Sequence, residues 1–381
     1  MTERSLLATG ATGVRRSPLR GRYLARNPLL RAAMLASDLA LAPLRLRRRS
    51  APTTPRRVLL AIGGHLGDAV IATAAIGLLS EALPDAEIGV LVPRWSSAVL
   101  DGDPRIRHRH QVDHWFLDRG ARSLPRRWWA YRISRRRALA EMRAVGYDAA
   151  VDLYDHFPNA ALLLWRAGIP VRVGFDAAGF TPLYTHPVRW PDDDRHVAER
   201  QALLLRTLVP TMRARAVTAS LPPAPADVAA RVHRLLADAG VPRGKFIVLH
   251  PGAGAPVKEW PAEHWRRVAE GLSATGVTLV FTGQGPREHD VIRSVMAGLP
   301  RCVDLCDRLD WASLVQVIRL AQRVVSVDTV AAHVAGAVGT PATTLWTSPS
   351  DPHHWGPLGA TSVILDAAAP DAVQRVLGAA R

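Results

Sequence analysis

Val324-Val325-Ser326-Val327-Asp328-Thr329-Val330-Ala331-Ala332-His333 is an apolar β-type run that ends in an acid and a hydroxyl and opens into a helix of small residues. Such a junction gathers a carboxylate, an Oγ and unpaired backbone N–H groups at one helix N-terminus, a place suited to a phosphorylated, hydroxyl-rich ligand. Upstream, Phe246-Ile247-Val248-Leu249-His250 runs into the glycine loop Pro251-Gly252-Ala253-Gly254, which is followed by Lys258-Glu259-Trp260-Pro261. Two strand-to-loop ends in one half of the chain, one with a lysine, read as a cradle for a diphosphate.

The alternation continues outward. Val58-Leu59-Leu60-Ala61-Ile62 is a continuous apolar run of the buried parallel-strand type, ended by Gly63-Gly64-His65-Leu66-Gly67-Asp68. The pattern predicts a helix over 69–82, a strand over 88–92, a short helix over 96–100 and a strand at Trp115-Phe116-Leu117. An Arg-rich helix over 131–145, a strand over 149–153 and a helix over 159–167 follow. Leu221-Pro222-Pro223-Ala224-Pro225 reads as a linker, after which a second series alternates helices with strands over 246–249, 277–281, 323–327 and 342–345. Strands alternating with helices imply parallel βαβ units. The expected fold is α/β, two doubly wound Rossmann-like domains facing across a cleft at the strand C-termini. The expected division is a basic arm over 1–55, a first domain over 56–220 and a second over 221–365. A final helix over 366–381 is expected to fold back on the first domain.

At 381 residues with 48% hydrophobic side chains, the chain can bury two cores of ordinary size. Its net charge of +16 is concentrated: residues 1–57 hold 13 Arg against Glu3 and Asp38, which leaves only +5 for the remainder. Between Tyr23 and Leu46 the arm carries leucines among arginines, and Arg26, Arg31, Asp38 and Pro43 keep any apolar run short of the roughly 20 residues that span a bilayer. Two readings of the arm stay open, a helix lying on an anionic membrane surface through residues 20–50 and a disordered extension. No uninterrupted apolar stretch or cleavage site of a signal peptide is evident. Cys302 and Cys306 have no second Cys or His pair at metal spacing and read as small thiols in a reducing compartment.

Several common chemistries are excluded by pattern. Gly63-Gly64-x-x-Gly67 lacks the spacing of a dinucleotide fingerprint, and neither a G-x-S-x-G elbow nor a G-x-x-x-x-G-K-[ST] loop is present. His353-His354 and His108-x-His110 have no accompanying ligand set, so no metal site is expected. Asp68 fits two roles, a first-turn acid that stabilises its helix and a general base at the cleft edge. Lys258 reads either as a solvent-exposed lysine or as a phosphate partner fixed by Trp260-Pro261. Glu288 follows the glycine loop Thr282-Gly283-Gln284-Gly285 and reads as a first-turn acid or a ligand group. His333 is an unusual choice within a helix of Ala and Val. The run Arg126-Arg127-Trp128-Trp129-Ala130-Tyr131-Arg132 with Arg135, Arg136 and Arg137 suits nucleic acid or an anionic glycolipid.

Taken in order, these pieces resemble the bacterial ADP-heptose:lipopolysaccharide heptosyltransferases, glycosyltransferase family 9. The matching segments are Leu66-Gly67-Asp68-Ala69-Val70 with Thr73, His250-Pro251-Gly252-Ala253-Gly254, Lys258-x-Trp260-Pro261, Thr282-Gly283 with Glu288, Asp328-Thr329-x-x-x-His333, Gly339-Thr340-Pro341 and Trp355-Gly356-Pro357. They span about residues 56 to 360.

The resemblance implies a GT-B fold and an inverting, metal-independent glycosyltransferase with no cofactor and ADP-heptose as co-substrate. It implies Asp68 as catalytic base and Lys258, Glu288, Asp328, Thr329, His333, Gly252 and Gly254 around the donor. Gly67, Arg127 and Trp128 are expected on the acceptor, a lipopolysaccharide-like or other envelope glycan. The expected setting is cytoplasmic, at the inner face of the membrane, with no nucleic-acid partner. The family places Gly after the Asp-Thr pair, where this chain has Val330. A β-branched residue resists positive φ, which predicts a different seating of the donor or a different sugar on it. The rival readings are a non-catalytic nucleotide-sugar-binding protein held at the membrane by its basic arm, and a nucleic-acid-binding protein.

Overall fold

The computed structural model describes residues 23–47, 54–120, 122–347, 350–359 and 361–380; the remainder of the expected basic arm lies outside them. The first half comprises α1 (Pro28–Ala40), β1 (Arg57–Ala61), α2 (Leu66–Ala82), β2 (Glu87–Val92), β3 (Ile106–Gln111), α3 (Leu124–Val145), β4 (Ala149–Asp152), α4 (Ala161–Arg166), β5 (Val171–Phe175), β6 (His186–Val188) and α5 (Val197–Leu208). The second comprises α6 (Ala226–Asp238), β7 (Phe246–His250), α7 (Ala262–Ser273), β8 (Thr278–Phe281), α8 (Pro286–Met296), β9 (Cys302–Asp304), α9 (Trp311–Leu320), β10 (Arg323–Val327), α10 (Val330–Val338), β11 (Ala342–Trp346), α11 (Pro352–Trp355), β12 (Ser362–Asp366) and α12 (Ala372–Ala380).

Each half forms a six-stranded sheet, in the orders β3-β2-β1-β4-β5-β6 and β9-β8-β7-β10-β11-β12. The pairings are parallel, so each half is the same doubly wound arrangement, with its reversal point between β1 and β4 or between β7 and β10. The central strands read as unbroken apolar runs because both faces are covered: Val58, Leu59 and Leu60 are fully buried, as are Val248 and Leu249. One apolar cluster runs from β1 and α2 through Leu204, Leu205 and Val232 to Phe246 and Val324, joining the halves through the segment that follows α5. The proline-rich stretch 221–225 crosses between them as an irregular segment.

Several expectations are corrected. Trp115-Phe116-Leu117 is a turn, closed by the Leu117 N–H on the His114 carbonyl at 3.0 Å, and the edge strand is the earlier, polar Ile106–Gln111. Apolar content alone misplaced it: an edge strand needs only one side chain inward, and here that is His110. Helix α3 begins about two turns before the expected start, with Ser123 at its N-cap position and Pro125 in its first turn. Helix α12 packs on the second half, with Leu377 against Gly271 of α7 and Val373 and Val376 in that core, because its apolar stripe matches the uncovered face of α7. The described part of the expected arm lies against the first half, with Met34 on Gly179 and Asp38 bonded to Thr181.

Candidate active site

On the first sheet, β1 turns into α2 through Gly63, Gly64 and His65. Gly64 holds φ +84°, and a Cβ there would lie 2.3 Å from the Asp68 carboxylate, so glycine is required twice over. Asp68 occupies the third position of α2, and its Oδ2 accepts the His65 backbone N–H at 2.7 Å. This is the carboxylate arm of a capping box. Oδ1 takes no hydrogen bond among the described residues, so the cap reading of Asp68 is met by one oxygen while the other remains available. Trp95 fixes the turn by donating its Nε1–H to the Gly64 carbonyl at 2.8 Å.

On the second sheet, β7 leads through Pro251–Gly254 into a single 3₁₀ turn, Pro256–Lys258, and the Lys258 Nζ donates to Asp328 Oδ2 at 2.5 Å. Thr347 Oγ1 donates to the Lys258 carbonyl at 2.6 Å, holding the lysine's backbone in place. Asp328 follows β10, Thr329 is the extended N-cap of α10, and His333 lies in that helix's second turn. Val330 is the first helical residue of α10 and is not among the residues with positive φ. The local chain path therefore needs no glycine there, and the expected displacement loses its backbone reason. Glu288 caps the start of α8 by accepting the Gln284 N–H at 2.8 Å. A Cβ on Gly252 would fall 2.0 Å from its carboxyl carbon, so Gly252 is what lets the two loops meet. Burial pushes the Glu288 pKa upward.

The two sets face each other. Helices α2 and α10 pack together, and a Cβ on Gly67 would touch His333 Cδ2 at 3.0 Å. The positive charge of Lys258 reaches both His65 and Asp68 across the cleft. His65 is lowered to about 4 by burial, Arg119 and Lys258, and His333 is lowered to about 4 mainly by burial, so both rings are neutral at pH 7. The His333 Nδ1 is buried without a hydrogen-bond partner. Asp68 is raised by burial and by Asp155, against the opposing pull of the His65 N–H, His156 and Lys258. A half-buried carboxylate with a raised pKa and nearby cations is both basic and ionisable.

A cleft of ≈ 340 Å³ opens beside Asp68, lined by His65, Phe116, Leu117, Arg119, Tyr154 and His156 from the first half and Trp355 from the second. Asp155 lies 2.5 Å from His156 Nδ1. Burial disfavours the charged ring, but Asp155 and Asp68 outweigh it and raise the His156 pKa. His196 Nε2 meets the Gly356 carbonyl at 2.9 Å and His354 Nε2 meets the Asp193 carbonyl at 3.1 Å, pinning α5 to α11 at the cleft's edge.

Asp68, Lys258, Asp328, Thr329, His333 and Gly67 are thus brought together, with Gly252, Glu288 and Gly254 on the second-half loops beside them. Arg127 and Trp128 are not in the cleft lining. Arg127 donates to the carbonyls of Gly120 and Arg122 at 2.7 and 2.8 Å, bracing the loop that carries Arg119, while Trp128 is about half exposed at 49%. Arg119 is in that lining and reaches across the cleft: its Nη1 is 3.6 Å from where a Cβ of Gly254 would be. Nothing in the sequence singles out this arginine, since the loop between β3 and α3 has no motif. Among the described residues no group of three or more His, Cys, Asp and Glu side chains is placed to hold a metal.

Two parallel, doubly wound sheets that meet at a cleft, with a carboxylate on one side and glycine loops and a lysine on the other, define a GT-B glycosyltransferase. The sequence model of glycosyltransferase family 9 (heptosyltransferase) matches residues 135–376, and the chain belongs to that family. It is 25% identical over 301 residues to lipopolysaccharide heptosyltransferase 1 of Escherichia coli K12, covering 77% of this chain and 92% of the relative. Lipopolysaccharide heptosyltransferase 1 of Pseudomonas aeruginosa is 27% identical over 324 residues, 81% of this chain and 83% of that one. Of solved structures, the E. coli ADP-heptose lps heptosyltransferase II superposes with a TM-score of 0.68 at 21% identity, covering 85% of this chain and 97% of that one. The E. coli heptosyltransferase WaaC with ADP gives 0.67 at 20% identity, with the same coverages. At these identities the structures establish the fold.

Proposed function

We propose that the protein transfers heptose from ADP-heptose to a lipopolysaccharide-type acceptor with inversion at the anomeric carbon, without a metal, at the inner face of the cytoplasmic membrane. The observation that carries this reading is the opposition of Asp68 to the Lys258–Asp328 pair across one cleft. An acceptor hydroxyl attacks the anomeric carbon, its proton passes to Asp68 Oδ1, and the bond from that carbon to the diphosphate oxygen breaks with its electron pair leaving on ADP. Lys258 offsets the charge that develops on the departing diphosphate, and the N–H groups of the first turn of α10, beginning at Thr329, are aimed at the same place. Asp328 holds Lys258 in position, His333 faces the reacting sugar from the second turn of α10, and Glu288 meets the ribose. Gly252 and Gly254 allow close backbone approach of the donor. On the first half, Gly67 allows the acceptor in beside Asp68, and Arg127 and Trp128 support the acceptor-binding loop from which Arg119 reaches the cleft. The proposed division of labour is therefore an acceptor domain over 56–220 and a donor domain over 221–365.

The relatives named above support the donor and the acceptor by their own titles, ADP-heptose and lipopolysaccharide. The experiment is transfer of heptose from ADP-heptose to a delipidated core acceptor, with the anomeric configuration of the product read by NMR and chelator present throughout. Transfer with retained configuration, or transfer that chelator abolishes, would sink this mechanism.

A further inference from the structure

Helix α1 is inside out. Its outward face is Pro28, Leu29, Ala32, Ala33, Leu35, Ala36, Leu39 and Ala40, with Leu29, Leu39 and Leu35 exposed by 79%, 66% and 46%. Its polar residues point inward: Asp38 is 4% exposed and accepts from the Tyr23 hydroxyl at 2.9 Å, from the Thr181 N–H at 2.8 Å and from the Thr181 hydroxyl at 2.9 Å. Asn27 caps the helix through the Leu29 N–H at 2.8 Å, and Arg31 bonds the Ala25 carbonyl. The protein thus spends buried hydrogen bonds to hold an apolar face toward the outside, and a face of that kind marks a contact surface.

The inward side of α1 reaches toward the cleft. Leu30 and Met34 pack in one cluster with Phe157, whose ring lies 5.7 Å from that of Phe116 on the cleft rim, and His114 in the same turn lies 4.6 Å from Tyr131 of α3. Helix α3 then exposes Trp129 (63%) and Ile133 among seven arginines, with Glu141 as its single acid.

We propose that α1 and the outward face of α3 form one docking surface for an anionic lipid bilayer. The leucines of α1 and Trp129 enter the interface and the arginines meet the headgroups, so that the acceptor cleft opens at the membrane. Charge selects this occupant over a second copy of the chain. Helix α3 carries seven arginines against Glu141 alone, so two such faces would repel each other. Exposed Trp and Leu between cations are the composition of an interfacial helix. The membrane setting belongs to the proposed function, on which this inference rests, but the binding can be measured without any acceptor.

The test is co-sedimentation of the full chain with vesicles of phosphatidylglycerol and phosphatidylethanolamine, against vesicles of phosphatidylcholine alone. Binding is expected only to the anionic vesicles, weakening with salt, with a blue shift of tryptophan emission that Trp129→Ala diminishes. The double variant Leu29→Glu/Leu39→Glu touches only exposed positions. It is expected to bind vesicles at least about ten-fold more weakly while its ADP affinity and its transfer to a delipidated acceptor stay as in the wild type. Undiminished vesicle binding by that variant overturns the proposal, as does a wild-type dimer that the variant dissociates without either protein binding vesicles. Vesicle binding without transfer to any acceptor would leave the surface standing and remove the proposed function; transfer without vesicle binding would do the reverse.

Discussion

The two sheets have the same strand order, yet the loops at their C-terminal ends are built on different principles. On the second sheet the charged groups are already engaged: Lys258 with Asp328 at 2.5 Å, and Glu288 with the Gln284 N–H. On the first sheet they are held half-engaged, with Asp68 bonded through one oxygen and Asp155 buried with its Oδ2 unpartnered. Satisfied pairs make a rigid receptor, whereas incompletely satisfied carboxylates in a partly buried cleft keep a proton affinity that chemistry can use. On the proposed mechanism, one architecture used twice is thus divided into a holding half and a reacting half.

The sharpest way to break that division is Asp68→Asn. Turnover is expected to fall by about 10²–10⁴-fold while ADP affinity stays within a few-fold, because the proposed mechanism puts the proton acceptor on one half and the diphosphate on the other. Stopped assays of transfer beside calorimetric titration of ADP decide it, and an equal loss of both would merge the two halves into one. Lys258→Ala should do the opposite: about 10- to 100-fold weaker ADP binding, since a charge-assisted contact is lost and the buried Asp328 carboxylate is left without its cation. Gly64→Ala sharpens the comparison at the backbone. A positive φ of 84° costs a non-glycine residue about 1–2 kcal/mol, and the added Cβ displaces Asp68, so both melting temperature and turnover should drop while ADP binding persists.

The smallest effect is on pH dependence. A base must be ionised to accept a proton, so activity falls as pH drops through the pKa of Asp68, which lies above the ordinary carboxylate value. His156⁺ is among the groups that pull it down; His156→Gln removes that charge, and the acid limb of kcat/KM should move to higher pH. An acid limb that stays in place would detach the Asp155–His156 pair from the reacting half.

What was legible in the sequence follows burial. Val58–Ile62 and Phe246–Leu249 announce themselves because central strands covered on both faces contain almost nothing polar. The edge strand Ile106-Arg107-His108-Arg109-His110-Gln111 does not, since most of it faces solvent, and β5 and β6 are only 5 and 3 residues long, too short to stand out from the loops they join. Asp68, Lys258, Asp328 and His333 were readable because helix N-termini and glycine turns restrict the residue types allowed there. Arg119 was not: it reaches the cleft from an irregular loop whose course depends on Arg127 and the distant Gly254. The inside-out character of α1 was equally hidden, since only the partners of Asp38 reveal which of its faces is inward.

The bond between Lys258 and Asp328 also sets a threshold for intruders. Any anion that seeks this ammonium group must compete with a carboxylate that is fixed, buried and already in contact. On the proposed mechanism a small monovalent or singly phosphorylated solute would bring too few additional contacts to win that exchange, whereas a pyrophosphate that simultaneously met the amides of α10 would win it. In a crowded cell rich in loose phosphates, selectivity for the activated sugar would then begin before its sugar or its base is ever inspected.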